Sequence, residues 1–195
     1  MNDATKPIHD ESTHMDQVLA LASSIPDAGK DIRLNLQSVL GDGSLSPDQR
    51  LGIALACAFV SRNDELQEAL FQDASKISPA WTEDAKASAA LMAMNNVFYR
   101  FRHMIGKPAY STMPARLRMQ RLAQPQTSKL DFELMCIAVS AIHGCEMCVR
   151  SHEHSLMEHG ASEAQVLDAV RIASVVHGAA VALRLDRQAS ASESP

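Results

Sequence analysis

Apolar residues recur with helical spacing along most of the chain, in segments that begin behind helix-capping residues. Leu51–Phe71 and Leu134–His154 are two such segments. The first follows Ser46–Gln49 (SPDQ), which offers a serine cap, a proline suited to the first helical position and a glutamine that can complete a capping box. Ser128 precedes the second segment in the same way. With no convincing strand pattern elsewhere, the sequence predicts an all-α fold.

The two segments also suggest an internal repeat. They align at an offset of about 83 residues, and each is followed by a second capping serine and an Ala-rich helix, at Ser78 in one half and Ser162 in the other. We therefore predict a single domain, 1–195, built from two repeated helical modules. Its predicted parts are module one (16–106), a linker (107–127), module two with the site (128–186) and a frayed polar tail (187–195).

The linker is punctuated by Pro, Gly and Ser. A short helix is expected around Ala115–Leu122, where three arginines would form a solvated face: Arg116, Arg118 and Arg121.

The amino-acid composition limits which partners and which cellular compartment we expect for the protein. The chain is 46% hydrophobic and only 4% aromatic, which favours helices over strands. Its net charge of -5 gives no electrostatic reason to expect nucleic acid or an anionic membrane. The first 17 residues lack the apolar core of a secretory signal, and no apolar run approaches the roughly 20 residues that span a bilayer. We expect a cytoplasmic protein.

Candidate chemistry is concentrated in His143–His154 (HGCEMCVRSHEH). Its Cys-x-x-Cys pair has three readings: a redox switch, half of a zinc site, or two small core residues. In a reducing cytosol such a pair is more often catalytic or metal-binding than structural. Cys57 and Cys136 stand alone in apolar segments and are predicted to be buried thiols, so a zinc site would have to use Glu133 and a histidine.

A helix through this region would place Cys145, Cys148 and His152 on one face, at i, i+3 and i+7. Gly144 is a plausible break, so both cysteines would lie in a first helical turn, where free amides stabilise a thiolate. The helix dipole favours Cys145 as the more acidic thiol, whereas the i, i+4 pairing with His152 favours Cys148. Glu133, on the preceding helix, could orient the imidazole.

These residues carry a family resemblance. The pattern Glu-x11-Cys-x2-Cys-x3-His resembles the active site of the alkylhydroperoxidase D (AhpD) family, within the carboxymuconolactone-decarboxylase-like superfamily. Two further blocks, LMAMNNVFYRFRHMIG at Leu91–Gly106 and YSTMPARLRM at Tyr110–Met119, resemble AhpD proteins in particular. The resemblance covers roughly Leu45–Leu183, most of the chain.

The resemblance implies an all-helical homotrimer with an antioxidant role as a thiol peroxidase and disulfide reductase. Its implied partners are organic hydroperoxides, the peroxiredoxin of the alkyl hydroperoxide reductase system and a lipoylated dehydrogenase subunit. The last would supply electrons as dihydrolipoamide, with no bound cofactor or metal. Arg116, Arg118 and Arg121 are then an alternative docking site for an acidic lipoyl domain.

The resemblance also implies residue roles. Cys148 would attack and pass through a sulfenate, and Cys145 would resolve it as disulfide partner and proton donor. His152 and Glu133 would form the proton relay. Met147 stands where some members have histidine, so the relay would use His152 alone or water. The main alternative is a redox-sensing protein that uses the same pair without turnover; a decarboxylase is disfavoured because it would not need two cysteines.

Overall fold

The computed structural model describes residues 14–185, and this part of the chain is helical without β-strands. The all-α prediction is therefore confirmed. Residues 1–13 and the predicted tail lie outside the described residues. The helices are α1 (Asp16–Ala22), α2 (Lys30–Gly41), α3 (Pro47–Val60), α4 (Asp64–Ala74), α5 (Pro79–Ile105), α6 (Pro108–Thr112), α7 (Lys129–Ile142), α8 (Glu146–Glu158) and α9 (Glu163–Ala182), with 3₁₀ turns at Asp27–Gly29 and Gln120–Ala123.

Capping serines begin the main helices where the sequence predicts them. At the start of α3, the Ser46 hydroxyl accepts from the Gln49 amide at 3.2 Å, and the Gln49 side chain accepts from the Ser46 amide at 2.9 Å. Ser162 caps α9 with the same reciprocal pair, and Ser128 accepts from the Asp131 amide at the start of α7. These bonds satisfy amides that a helix start leaves free.

Helices α3 and α7 form the centre of the molecule. Residues 51–58 of α3 and 132–140 of α7 are buried without interruption, and the other long helices pack around them. Gly52 permits a close approach between α3 and α5, because a β-carbon there would lie 2.5 Å from the Trp81 ring. The buried run of α7 contains one charged side chain, that of Glu133.

Helices α3–α4–α5 and α7–α8–α9 run in the order that the two predicted modules require. The internal repeat itself stays a prediction. Helix α9 is long and apolar enough to cross a membrane by length and composition alone, a test that buried core helices also pass. It packs against α2, α3 and α7 and contributes Ile172, Val176 and Ala179 to the core.

The connection between α5 and α7 differs from its prediction. The expected helix around Ala115–Leu122 is wrong: α6 comes earlier, and a single 3₁₀ turn follows from Gln120. A proline disfavours the helical conformation of the residue before it, here Met113, and Arg116 has a left-handed φ of 52°, which a continuous helix does not allow. Arg121 is not on a solvated helix face, because it forms an ion pair with buried Asp84 at 2.6 Å.

Candidate active site

The cysteine pair lies at the junction between α7 and α8. Gly144, with a left-handed φ of 65°, turns the chain after α7. Cys145 is the N-cap of α8 and Cys148 lies in its first turn. A disulfide joins the two, with Cα atoms 5.3 Å apart. Cys145 is fully buried, whereas Cys148 retains 6% of its surface exposed.

The start of α8 differs from the other long helices of the second half. Helices α7 and α9 begin with a serine whose hydroxyl accepts from a backbone amide, but the N-cap Cys145 makes no side-chain capping bond. The first-turn amides of α8 therefore lie beside the two sulfur atoms without a capping oxygen. Amides in that position favour negative charge, which stabilises a thiolate once the disulfide is reduced.

A buried acid and an imidazole stand next to this turn. Glu133 is 4% exposed, and its Oε2 lies 2.5 Å from Nδ1 of His152, while its Oε1 lies 2.6 Å from Nζ of Lys129. Burial opposes ionisation of the carboxyl. The hydrogen bonds and charges of His152 and Lys129 outweigh it, so the pKa of Glu133 falls below its ordinary value.

The carboxylate sets the tautomer of the imidazole. An ionised Glu133 can only accept, so Nδ1 of His152 donates to it. Nε2 is therefore the ring nitrogen left to exchange a proton; it lies 3.1 Å from the Met92 sulfur. The Glu133–His152 pair therefore has the acid–imidazole order that orients a base.

A cavity of about 380 Å³ opens onto the pair from the side of α5. Its lining is predominantly apolar and includes Cys148 and His152, whereas Cys145 lies behind Cys148 and is not part of this wall. Small organic molecules fit such a cavity better than ions do. The lining residues are Asn95, Tyr99, Met119, Leu122, Met147, Cys148, Ser151 and His152.

Several of these residues were not identified from the sequence. Met92, Asn95 and Tyr99 lie at i, i+3 and i+7 of α5, so all three are on one face of this helix. That spacing could have identified them as site residues once α5 was recognised. Lys129 lies one helical turn before Glu133, which also could have identified it. Met119 and Leu122 come from the irregular connection, where no periodic pattern marks their position.

The other two cysteines are separate from the site. Cys57 and Cys136 are free and fully buried, as predicted. Burial raises the pKa of both thiols, and for Cys136 the charge of Glu133 adds to the effect. Within residues 14–185, no group of three or more His, Cys, Asp or Glu side chains is arranged to hold a metal.

Known proteins identify the family. Residues 108–191 match the carboxymuconolactone decarboxylase family. The chain is 58% identical over 173 residues to "Alkyl hydroperoxide reductase AhpD" of Anaeromyxobacter dehalogenans (strain 2CP-C), covering 88% of this chain and 93% of that protein. Proteins of the same name from Solibacter usitatus (47% identical, 85% and 94% covered) and Brucella abortus (46%, 84% and 94%) are also similar. The chain therefore belongs to the AhpD family of alkyl hydroperoxide reductases.

Proposed function

We propose that this AhpD-type enzyme reduces organic hydroperoxides and the disulfide of a partner peroxiredoxin with the Cys145–Cys148 pair. The observation that carries the proposal is the position of Cys148. It lines an apolar cavity, a disulfide joins it to Cys145, and His152, which is paired with Glu133, lines the same cavity.

In the oxidative half of the cycle, the Cys148 thiolate attacks the terminal oxygen of a hydroperoxide, ROOH. The O–O bond breaks, Cys148 becomes a sulfenic acid, and the alkoxide leaves as ROH after taking a proton from His152. The Cys145 thiol then gives up its proton and attacks the Cys148 sulfur, which releases water and forms the disulfide seen in the structure.

In the reductive half, a dithiol restores the pair by two exchanges. One donor thiolate attacks Cys148, Cys145 leaves as a thiolate and takes a proton, and the second donor thiol closes the donor's own disulfide. Dihydrolipoamide on a lipoylated dehydrogenase subunit fits this step, because its two thiols close a ring. Arg116 and Arg118 support docking of an acidic lipoyl domain, since both are exposed on the connection that carries Met119 to the cavity.

Counting free thiols on the purified protein tests the proposal. Of four thiols in the reduced chain, two are expected to disappear with tert-butyl hydroperoxide and to return with dihydrolipoamide, over repeated cycles. The buried Cys57 and Cys136 should stay reduced, because burial keeps them from the thiolate form. One equivalent of bound zinc would contradict the proposal, and a single oxidation without electron transfer onward would indicate a sensor instead.

Replacing Glu133 by glutamine is expected to slow peroxide turnover by about 10²-fold. The neutral amide no longer fixes His152 with Nδ1 as donor, and it leaves the partly exposed Lys129 ammonium without its counter-charge. Because the pKa of Glu133 is lower in the folded protein, its ion pairs add stability above pH ~4.3, and that stability is lost as the pH falls through the folded value. The difference in free energy of unfolding between wild type and Glu133→Gln should therefore be largest near neutral pH and shrink in acid.

The chain offers a matched control for this change. Glu158 pairs with His154 at 3.4 Å on the same helix as His152, but both side chains are largely exposed. Glu158→Gln should leave turnover and its pH profile unchanged, because exposed pairs contribute little. Equal losses in the two variants, measured by steady-state turnover and thermal unfolding from pH 3 to pH 8, would exclude a relay through Glu133.

We also propose that the protein acts in the cytoplasm as a homotrimer. Support for association comes from an exposed apolar stripe on the last turns of α5, formed by Val97, Phe101, Met104 and Ile105 at helical spacing. Val97 and Met104 are 61% and 77% exposed in the single chain. Contiguous exposed apolar side chains of this kind mark protein–protein contacts.

A further inference from the structure

Asn95 is an unusual residue in the wall of the cavity. It lies in the middle of α5 with 5% of its surface exposed, and its Oδ1 is buried with no hydrogen-bond partner among the described residues. The same side chain lines the cavity with Cys148 and His152. A buried acceptor without a partner costs stability, so its presence beside a reactive sulfur needs an explanation.

The next residue along the helix shows what a structural asparagine looks like here. Asn96 is equally buried, but its Oδ1 accepts from the Ser140 hydroxyl at 3.1 Å and its Nδ2 lies 2.9 Å from Nδ1 of His143. These contacts tie α5 to α7. Asn95 lines the cavity instead, and within residues 14–185 its Oδ1 accepts no such bond.

We propose that Asn95 positions the substrate hydroperoxide: its amide turns about the Cβ–Cγ bond, so that Oδ1, which is enclosed in this structure, reaches the cavity and accepts a hydrogen bond from the terminal O–H of ROOH. The inference rests on the proposed function, because it assigns a residue to the peroxide step at Cys148. A hydroperoxide carries one such donor, on the oxygen that the thiolate attacks. Holding this proton turns that oxygen toward the Cys148 sulfur and leaves the alkyl group among the apolar lining residues.

A hydrogen bond from the substrate O–H to Asn95 can form in the oxidative half of the cycle but not in the reductive half. When the thiolate attacks, the O–O bond breaks, the O–H group passes to sulfur as the sulfenic acid, and the alkoxide departs with a proton from His152. A disulfide offers no O–H donor, so thiol exchange at Cys148 does not use the amide. Asn95 therefore matters for the oxidation of the pair and not for its reduction.

The test compares three reactions at the same sulfur. In Asn95→Leu, which keeps the size of the side chain and removes the acceptor, the rate constant for sulfenate formation with tert-butyl hydroperoxide should fall about five- to tenfold. Alkylation of reduced Cys148 by iodoacetamide and reduction of the disulfide by dihydrolipoamide should change less than about twofold. Asn95→Ala, which cannot block the cavity, should give the same pattern.

Thermal unfolding supplies an independent measurement. Asn95→Leu should unfold at the same or a higher temperature than wild type, because it removes an unpaired buried acceptor. Asn96→Leu is the matched control: it should lower the Tm through lost contacts with Ser140 and leave the ratio of peroxide to iodoacetamide rates unchanged.

The outcomes distinguish this inference from the function on which it rests. A wild-type protein whose Cys148 does not react with the hydroperoxide would overturn the proposed function. A reactive wild type with unchanged peroxide rates in both Asn95 variants would overturn the inference alone. Parallel losses with peroxide and iodoacetamide would also overturn it, because Asn95 would then act through the thiol and not on the substrate.

Discussion

Replacing Cys148 by serine is expected to abolish lipoamide-coupled reduction of tert-butyl hydroperoxide, with a loss of more than about 10³-fold. A serine hydroxyl at this position remains protonated near neutral pH and is a poor nucleophile toward peroxide oxygen. The start of α8 stabilises a thiolate but cannot bring an alcohol into its charged form. The rate of hydroperoxide consumption measures the effect, and retained turnover would exclude Cys148 as the attacking atom.

Two companion variants sharpen this experiment. Cys145→Ser should still react once, so that the Cys148 sulfenic acid accumulates and can be trapped and weighed by mass spectrometry. Cys57→Ala removes a buried thiol from α3, away from the cavity, and should cycle at the wild-type rate. If the first variant turned over repeatedly, the disulfide would not be an obligatory intermediate.

Replacing Asp84 by alanine is expected to lower the free energy of unfolding by about 3–5 kcal/mol. The carboxylate is fully buried and accepts hydrogen bonds from Arg121 at 2.6 Å, the amides of Gln126 and Thr127 at 2.9 and 2.7 Å, and the Thr127 hydroxyl at 2.7 Å. Without it, the partly exposed Arg121 and two backbone amides lose their acceptor. Urea unfolding followed by circular dichroism measures the change.

Activity should follow stability in this variant, because Asp84 fastens the connection that carries Met119 and Leu122 into the cavity wall. We expect the KM for the hydroperoxide to rise. Glu83→Ala is the control: Glu83 is exposed and pairs only with Lys86, three residues along, among the described side chains, so its removal should cost less than about 0.5 kcal/mol. Similar losses in the two variants would contradict the role given to Asp84.

Much of the site was predictable because its residues lie at fixed helical spacings. The positions of Cys148 and His152 follow from the period of α8, whereas Cys145 precedes that helix as its extended N-cap. Glu133 was recognisable as the one acid in an apolar run. Serine caps fixed where the helices begin, because each supplies an acceptor to amides that need one. These positions depend on residues close together in the chain, so they could be predicted from the sequence.

The remaining parts depend on contacts between segments far apart in the chain. Arg121 looked like a surface charge because its partner, Asp84, comes 37 residues earlier and is buried only after the connection folds back onto α5. Buried polar side chains are usually hydrogen-bonded, which holds for Asn96 but not for Oδ1 of Asn95. Which of two neighbouring amides faces the cavity is decided by how α5 packs against α7 and α8, and composition does not contain that information.

The burial of Cys145 behind Cys148 has a consequence for kinetics. With one sulfur enclosed and the other at the cavity, the peroxide and the dithiol donor must both approach the same atom from the same side. The two substrates cannot bind at the same time, so in the proposed cycle an oxidation by peroxide alternates strictly with a reduction by the dithiol. Such a ping-pong enzyme is inhibited by an excess of either substrate bound to the wrong form, which ties its output to the ratio of oxidant to reductant.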